Sequence, residues 1–338
     1  MKPSAMNAIW YAAGILALST GSMFGDTAAA TDPVGFITLD AAGAPTGALS
    51  IKSLGMTRSV EYQGIAESKA TNTFVDNEST WADDQFNGAA GKFYVEIASG
   101  TLAGTTFDIA DTFGAGAPVK TIQTVQDLPA GLTAPFSFKI RKHWTLSSVF
   151  GTGATLVLTA GDQSTADQVL VYTGGNYLQY FYQTGTGWRE VNAGATDQAD
   201  TPLYPDDGLI INRKQGTPVN IVLMGAVKMG QTSFPINPGT NIVGNPCAAV
   251  MTLSSCGLLA SGFTGGDGST SDRVLFYNGT GYDVYFYQTG GLGTGWRKIT
   301  DTTTDEGGKQ IPVGAAIIIK RSGVAGFDWK VPQHPASI

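Results

Sequence analysis

Charged residues are rare in this sequence. Asp, Glu, Lys and Arg make up 14% of the 338 residues, against roughly 25% in ordinary soluble domains. The balance is acidic, at −7, and no basic run is longer than pairs such as Arg141-Lys142. Nucleic acids and anionic lipid surfaces are bound by clustered Lys and Arg. We therefore expect no nucleic-acid partner.

Histidine and cysteine are scarce too, with two of each: His143, His334, Cys247 and Cys256. Their positions do not match the ligand spacing of a zinc site. No Gly-x-Ser-x-Gly motif frames a serine nucleophile, and no Gly-Lys-Ser/Thr ending completes a phosphate-binding loop. The sequence thus predicts no catalytic residue, no metal and no cofactor. A glycosidase needs only two carboxylates, so a secreted hydrolase stays open as a third reading.

Long apolar runs are missing except near the N-terminus, where Ala8 to Leu18 are apolar. This run is too short to span about 30 Å of hydrocarbon as a helix. Lys2 precedes it, and Ala28 and Ala30 form an Ala-x-Ala site after it, which is typical of a signal peptide over residues 1–30. An uncleaved anchor is the alternative. We expect export to the periplasm, the outer surface or the medium, with no transmembrane helix in the mature chain.

The two cysteines are nine positions apart and flank a predicted turn. An exported chain meets an oxidising compartment, where such a pair closes a local loop. The sequence therefore predicts a Cys247–Cys256 disulfide, with two buried thiols as the alternative.

Glycine is abundant, with 45 residues, and short segments rich in Val, Ile, Thr, Phe and Tyr lie between turn residues. The segment 92–97, Lys-Phe-Tyr-Val-Glu-Ile, alternates with the period of a strand. Over residues 31–143, no window has the spacing of an amphipathic helix bounded by caps. These patterns predict an all-β fold.

One stretch occurs twice, at residues 167–189 and 272–297. Nine of the first sixteen positions are identical, and both copies end in Gly-Thr-Gly-Trp-Arg. Flanking segments that begin at Thr145 and Thr252, and at Pro205 and Pro312, also match at an offset of 107. A match of this extent indicates duplication of whole modules.

The predicted architecture has four parts. The signal peptide at 1–30 precedes an N-terminal β domain at 31–143. Two homologous antiparallel modules follow at 144–228 and 229–338. Each module is predicted to be a β-sandwich or a partly open barrel.

The repeated aromatic strands are the candidate binding sites. If Asp283 lies on a wet face, the tyrosines on the same face lie outside, near a Trp and an Arg. Flat aromatic faces with hydroxyl groups suit sugars or a partner protein. The alternative, which weighs more, is cross-strand packing inside a sandwich. The candidate residues are Tyr180, Tyr182, Trp188, Arg189, Tyr285, Tyr287, Trp296 and Arg297.

Two pairs of aspartates, Asp162/Asp167 and Asp267/Asp272, occupy matching positions before the aromatic strands. Calcium prefers six to eight oxygen ligands, and two carboxylates supply too few. Asx-turns that start a strand are the stronger interpretation.

The opening Thr31-Asp-Pro-Val-Gly-Phe, the segment from His143, the segment Asn241-Ile-Val-Gly-Asn-Pro246 and the repeated aromatic stretch together resemble a family of exported proteins of unknown function from verrucomicrobial bacteria. The resemblance covers nearly the whole mature chain, and its motifs are structural. It implies lineage and export, and it implies no chemistry.

From these observations we expect a non-enzymatic structural or adhesive protein of the cell envelope or the medium. Two equivalent faces side by side would gain avidity without new contacts. Self-association is a further expectation. The alternative is a carbohydrate-binding protein that uses the paired Tyr/Trp faces. The expected partners are a cell-surface glycan or another envelope protein.

Overall fold

Short strands dominate the chain, which a computed structural model describes at residues 32–43, 48–87, 91–114, 118–214, 216–291 and 293–333. Strands account for 47% and helices for 4%, so the predicted all-β class is confirmed. The predicted signal peptide and His334 lie outside the described residues. Within the described ranges, no helix is long and apolar enough to cross a membrane.

Gly, Pro, Asn and Asp interrupt the β-forming segments every few residues, which keeps the strands short. In chain order the strands are β1 (Val34–Ala41), β2 (Ala48–Ser53), β3 (Val60–Ala66), β4 (Ser68–Lys69), β5 (Thr73–Val75), β6 (Phe93–Ile97), β7 (Thr106–Phe113), β8 (Thr121–Thr124), β9 (Phe136–Lys142), β10 (Trp144–Thr145), β11 (Gln168–Thr173), β12 (Asn176–Gln183), β13 (Gly187–Glu190), β14 (Pro202–Leu203), β15 (Gly208–Arg213), β16 (Val219–Ala226), β17 (Thr232–Ile236), β18 (Gly239–Gly244), β19 (Met251–Thr252), β20 (Arg273–Tyr277), β21 (Tyr282–Gln288), β22 (Gly295–Lys298), β23 (Gln310–Ile311), β24 (Ala316–Arg321) and β25 (Phe327–Val331). The helices are α1 (Leu146–Phe150) and α2 (Leu258–Ser261).

The first module comprises residues 34–56 and 144–226. Its main sheet has five antiparallel strands in the order β13-β12-β11-β15-β2. A two-stranded ribbon, β1 paired with β16, packs on this sheet. Leu39 and Leu223 of the ribbon share one core with Val169 and Leu209 of the sheet.

The second module, residues 232–331, has the same strand order. Its main sheet runs β22-β21-β20-β24-β18, and its ribbon pairs β17 with β25. Phe234 and Trp329 of this ribbon share a core with Val274 and Ile317 of the sheet.

A third unit, the inserted domain, comprises residues 60–142. Its sheet has the order β3-β9-β6-β7-β8-β5-β4 and its own aromatic core. The sequence placed β1 and β2 in an N-terminal domain, but in the structure they pair with β16 and β15. The inserted domain therefore interrupts the first module, because Leu39 and its neighbours are needed to complete that module's core.

The two modules contact each other through their five-stranded sheets. Ile210 of the first module packs with Ile242, Leu275 and Ile318 of the second. Leu170 packs against the same cluster. Each main sheet is thus covered on one face by its own ribbon and on the other by the opposite module, and the described residues pack as one compact unit.

The register of the sheets corrects one alignment made from the sequence. Arg213 pairs with Asp167, and Arg321 pairs with Asp272, in the same position of each module. These arginines are 108 residues apart, whereas the sequence comparison used an offset of 107 in this segment. The offset is already 108 at β13 and β22 and at β14 and β23, because the loop between β21 and β22 is three residues longer than the loop between β12 and β13.

Candidate functional site

The repeated aromatic strands lie in the cores of the two modules and not on an outer face. Tyr180 and Trp188 belong to the first core, and Tyr285 and Trp296 belong to the second. The Trp188 side chain is fully buried and its Nε1 donates to the carbonyl of Gly151 at 3.0 Å. The expectation of an exposed Tyr/Trp face is wrong, and cross-strand packing is the correct interpretation.

Asp283 misled the sequence argument because it lies near one end of β21. There it pairs with Lys298 at 2.9 Å while both side chains remain partly exposed. The same face continues into the core at Tyr285, two residues later. A single polar residue at a strand end therefore does not mark the whole face as wet.

Tyr182 and Tyr287 are only partly buried, but each packs its ring against the tryptophan of its own module. The ring centroids lie 5.7 Å apart for Tyr182 and Trp188, and 5.6 Å apart for Tyr287 and Trp296. The Tyr182 hydroxyl also accepts a hydrogen bond from the backbone of Gly153 at 2.8 Å. These rings support the hairpins.

Arg189 and Arg297 form hydrogen bonds and ion contacts inside the same hairpins. Arg189 Nη1 donates to the Trp188 carbonyl at 2.8 Å and faces Asp197 at 3.6 Å. Arg297 makes the matching contacts with the Trp296 carbonyl at 3.1 Å and with Asp305 at 3.3 Å. Both guanidinium groups are mostly buried and form contacts within their own hairpins.

The paired aspartates are turn and strand anchors. Asp162 accepts hydrogen bonds from Ser164 and Thr165, and this bonding lowers the pKa of its carboxyl to about 2. Asp267 does the same with its own Ser and Thr. Within the described residues, no group of three or more His, Cys, Asp or Glu side chains is arranged to hold a metal ion.

Asp167 and Asp272 are buried and fully bonded by the chain. Each accepts two backbone N–H groups at 2.7 Å in addition to its arginine. Asp167 lies 2.8 Å from Arg213 Nε. These buried carboxylates already accept backbone N–H groups and pair with an arginine, which favours the Asx-turn interpretation over a calcium loop.

The predicted disulfide is absent: Cys247 and Cys256 are both free and buried in the second core. Cys256 Sγ donates to the carbonyl of Leu253 at 3.3 Å, which directs the thiol into its own turn. Burial raises the pKa of Cys247 and raises that of Cys256 to about 11. Both cysteines therefore behave as small apolar core residues.

A buried ion network joins the inserted domain to the modules. Glu96 accepts from Arg141 at 3.0 Å and from Lys228 at 2.6 Å. Arg141 also pairs with Asp32, which pairs with Lys139 at 3.0 Å. Burial would raise the pKa of Glu96, but Lys228 and Arg141 outweigh it and hold that pKa below its usual value.

A second polar cluster adjoins this network. Asp108 lies 2.9 Å from His143 Nε2 and accepts from the Tyr204 hydroxyl at 2.7 Å. Burial would raise the pKa of Asp108, yet these hydrogen bonds lower it.

Asp207, half-buried beside Asp206, has a pKa raised to about 8 by burial and by its neighbour's charge. The pKa of Asp108 is lowered and that of Asp207 is raised, as the base and the acid of a hydrolase would require. Each carboxyl, however, already accepts hydrogen bonds from other groups of the chain.

Asp207 predicts a pH dependence of stability. An ordinary Asp in the unfolded chain has a pKa near ~4, so between pH ~4 and about 8 the folded state binds more protons. Stability must therefore fall as pH rises through this window. We expect the Tm of the wild type to drop between pH 6 and pH 9, and the drop to be smaller in Asp207→Asn. Thermal unfolding of both proteins across this range checks it; equal drops would contradict the assignment.

An exposed apolar surface lies on the ribbon of the first module. Val34, Phe36, Val222 and Met224 are 72%, 71%, 62% and 71% exposed. Phe36 lies directly across from Met224 in the strand register. We call these four side chains the apolar ribbon face.

The ribbon of the second module provides an internal comparison. Its exposed outward positions carry Pro235, Asp328 and Lys330, whereas Ser233, across from Lys330, is buried. The exposed surface is therefore largely charged in one module and apolar in the other. Packing within a module does not require the apolar side chains, because the second ribbon folds without them.

Strand β1, which carries Val34 and Phe36 of the apolar ribbon face, is also an edge strand. Among the described residues, β1 pairs with β16 and with no other strand. Its eight residues contain no Pro or Lys, the residues that commonly blunt an exposed edge. An open edge beside an exposed apolar face is a surface suited to pairing with another strand.

The sequence contains a signal for this surface in the two strands of the ribbon. Residues 36–39 and 221–224 each have apolar or threonine side chains at every position, without the polar alternation of a half-wet strand. Such runs indicate strands covered on both faces. Here one face is covered by the module core and the other is open in the single chain.

Comparison with protein-family models, with curated proteins and with solved structures found no match to this chain.

Proposed function

We propose that this protein is an exported structural protein of the cell envelope or extracellular space that assembles with copies of itself. The observation that carries the proposal is the apolar ribbon face on an open edge strand. Single exposed apolar residues are ordinary, but a contiguous group of large ones marks an interaction surface. Export itself is inferred from the N-terminal segment.

The proposed occupant of the face is β1 of a second copy. Two β1 edges that pair antiparallel around a two-fold axis give a four-stranded sheet, β16-β1-β1-β16, that carries both apolar ribbon faces on one side. The four side chains of each face are uncharged, and Asp40, on the same side of β1 near the end of the strand, already pairs with Lys52 at 3.1 Å. The net charge of −7 disfavours an anionic lipid surface as the occupant.

The first test is the oligomeric state of the mature chain. We expect Phe36→Thr/Met224→Thr to weaken self-association at least ~100-fold, since each large apolar side chain contributes about 1.5–3 kcal/mol when buried. Thr retains strand propensity, so folding is preserved. Sedimentation velocity over a concentration series measures the change.

The matched control is Lys330→Thr on the outward face of the second ribbon, which should leave self-association unchanged. A wild-type chain that stays monomeric at roughly 100 µM, a concentration at which even weak specific dimers form, would contradict the proposal. So would equal association of the wild type and the double variant.

Duplication supports a structural role, because the two similar modules pack against each other through their main sheets. The carbohydrate-binding alternative loses Tyr180 and Tyr285 to the module cores. It keeps Tyr182 and Trp188, which line an open cleft of about 560 Å³ in the first module, so it stays as the second candidate function. Fractionation of the producing cells tests the location: we expect the protein in the envelope or the medium.

A further inference from the structure

A cleft of about 500 Å³ lies between the two modules, apart from the apolar ribbon face and from the polar clusters described above. The edge strand β2 of the first module forms one wall, and the end of β20 with the start of β24 forms the other. The volume is in the range of small-ligand sites, about 300–1,000 Å³. Its polar and aromatic lining includes Lys52, Tyr277, Asn278, Asp283, Lys309 and Gln310.

Most charges along the cleft are already paired. Asp40 holds Lys52 at 3.1 Å, and Asp283 holds Lys298 at 2.9 Å. Lys309 differs: its ammonium lies 5.2 Å from the ring centroid of Phe276. Within the described residues, no carboxylate forms an ion pair with Lys309. Lys309 acts on Asp283 at longer range, as the last of the causes that lower the pKa of that carboxyl. The cleft therefore presents one cation that lies beside an aromatic ring and, among the described residues, has no carboxylate within ion-pairing distance.

The first module does not repeat this arrangement. In the second module Phe276 lies across from Asp283 in the sheet register. The same register positions in the first module hold Val171 and Leu178, which pack on its core. The polar wall is therefore a departure specific to the second module, and the shared fold does not require it.

We propose that this cleft binds an acidic saccharide, with the acid group of one sugar unit on Lys309. Amide and carboxylate side chains such as Asn278, Gln310 and Asp283 exchange hydrogen bonds with sugar hydroxyls. The ring of Tyr277 supplies an apolar face with a polar rim, which suits a sugar ring. An acid group on the ligand forms the ion pair with Lys309 that no carboxylate of the described residues forms.

The test uses the mature wild-type chain and three defined polysaccharides that carry acid groups: polygalacturonate, hyaluronate and heparan sulfate. Neutral dextran is the comparison. We expect at least one acidic polymer to retard the protein in affinity electrophoresis and dextran not to. Carboxylate and sulfate sources are distinguished by which polymer binds. We expect Lys309→Gln to weaken that binding about 10-fold or more, the effect of losing one charge-assisted hydrogen bond.

Two variants make the result specific. Lys309→Arg keeps the cation and should retain binding, whereas Lys330→Gln removes a distant surface charge and should change nothing. The proposal is overturned if none of the three acidic polymers binds the wild type. It is also overturned if dextran binds equally well, or if Lys309→Gln and Lys330→Gln behave alike. None of these outcomes depends on self-association, which Phe36→Thr/Met224→Thr tests separately.

Discussion

Replacing Arg141 with methionine is expected to lower the free energy of unfolding by about 3–5 kcal/mol, the cost of breaking a buried ion network by removing one partner. The Arg141 side chain is 1% exposed and contacts both Glu96 and Asp32. Its Nη1 also donates to the carbonyl of Arg58 at 2.8 Å. Without the guanidinium, two buried carboxylates lose their main counter-charge, and only Lys228 and Lys139 remain near them.

Chemical denaturation at neutral pH measures this loss, and Lys52→Met is the control. Lys52 pairs with Asp40, whose side chain is largely exposed. Exposed pairs typically contribute 0–1 kcal/mol, so the control variant should stay within about 1 kcal/mol of the wild type. A loss of that small size for Arg141→Met would show that the joint between the inserted domain and the modules does not depend on this network.

Trp188→Ala should destabilise the protein by about 3–5 kcal/mol, as expected for a large aromatic side chain removed from a packed core. Trp188 has no exposed surface and packs against Phe150 and Tyr182. The substitution also leaves the carbonyl of Gly151 without its indole donor. If Trp188 were an exposed binding residue, the same change would leave stability nearly untouched.

Tyr177→Ala is the matched control, because Tyr177 lies on β12 within the same hairpin and is 44% exposed. Its main aromatic contact is Tyr172, at 4.9 Å between ring centroids. We expect a loss of about 1 kcal/mol or less, the size of one exposed cross-strand pair. Equal losses for Trp188→Ala and Tyr177→Ala would mean that the core of the first module is placed incorrectly.

The strand content and much of the hairpin structure could be predicted from the sequence. Gly-rich turns and β-branched segments act locally, so they specify hairpins such as β11-β12 without reference to the rest of the chain. The Asx-turns at Asp162 and Asp267 are equally local. Because the two aromatic stretches share these local signals, they form strands in matching positions.

The binding face predicted for Tyr180 and Tyr285 failed for a tertiary reason. Period-two patterns identify a buried face only when the opposite face meets water. Here both faces of each main sheet are covered, one by a ribbon and one by the other module. A lone polar residue such as Asp283 therefore indicates exposure to solvent only at its own position near a strand end.

By itself, the sequence determined that the chain is all-β, where its hairpins turn and which two segments resemble each other, because these properties depend on neighbours within a few residues. Only the tertiary structure decided that β1 and β2 complete the first module across an inserted domain. It alone placed Cys247 and Cys256 in the core as free thiols, and it left the apolar ribbon face open. These outcomes depend on contacts between residues far apart in the chain. The apolar runs at 36–39 and 221–224 indicate strands covered on both faces, but they do not tell which face the single chain leaves open.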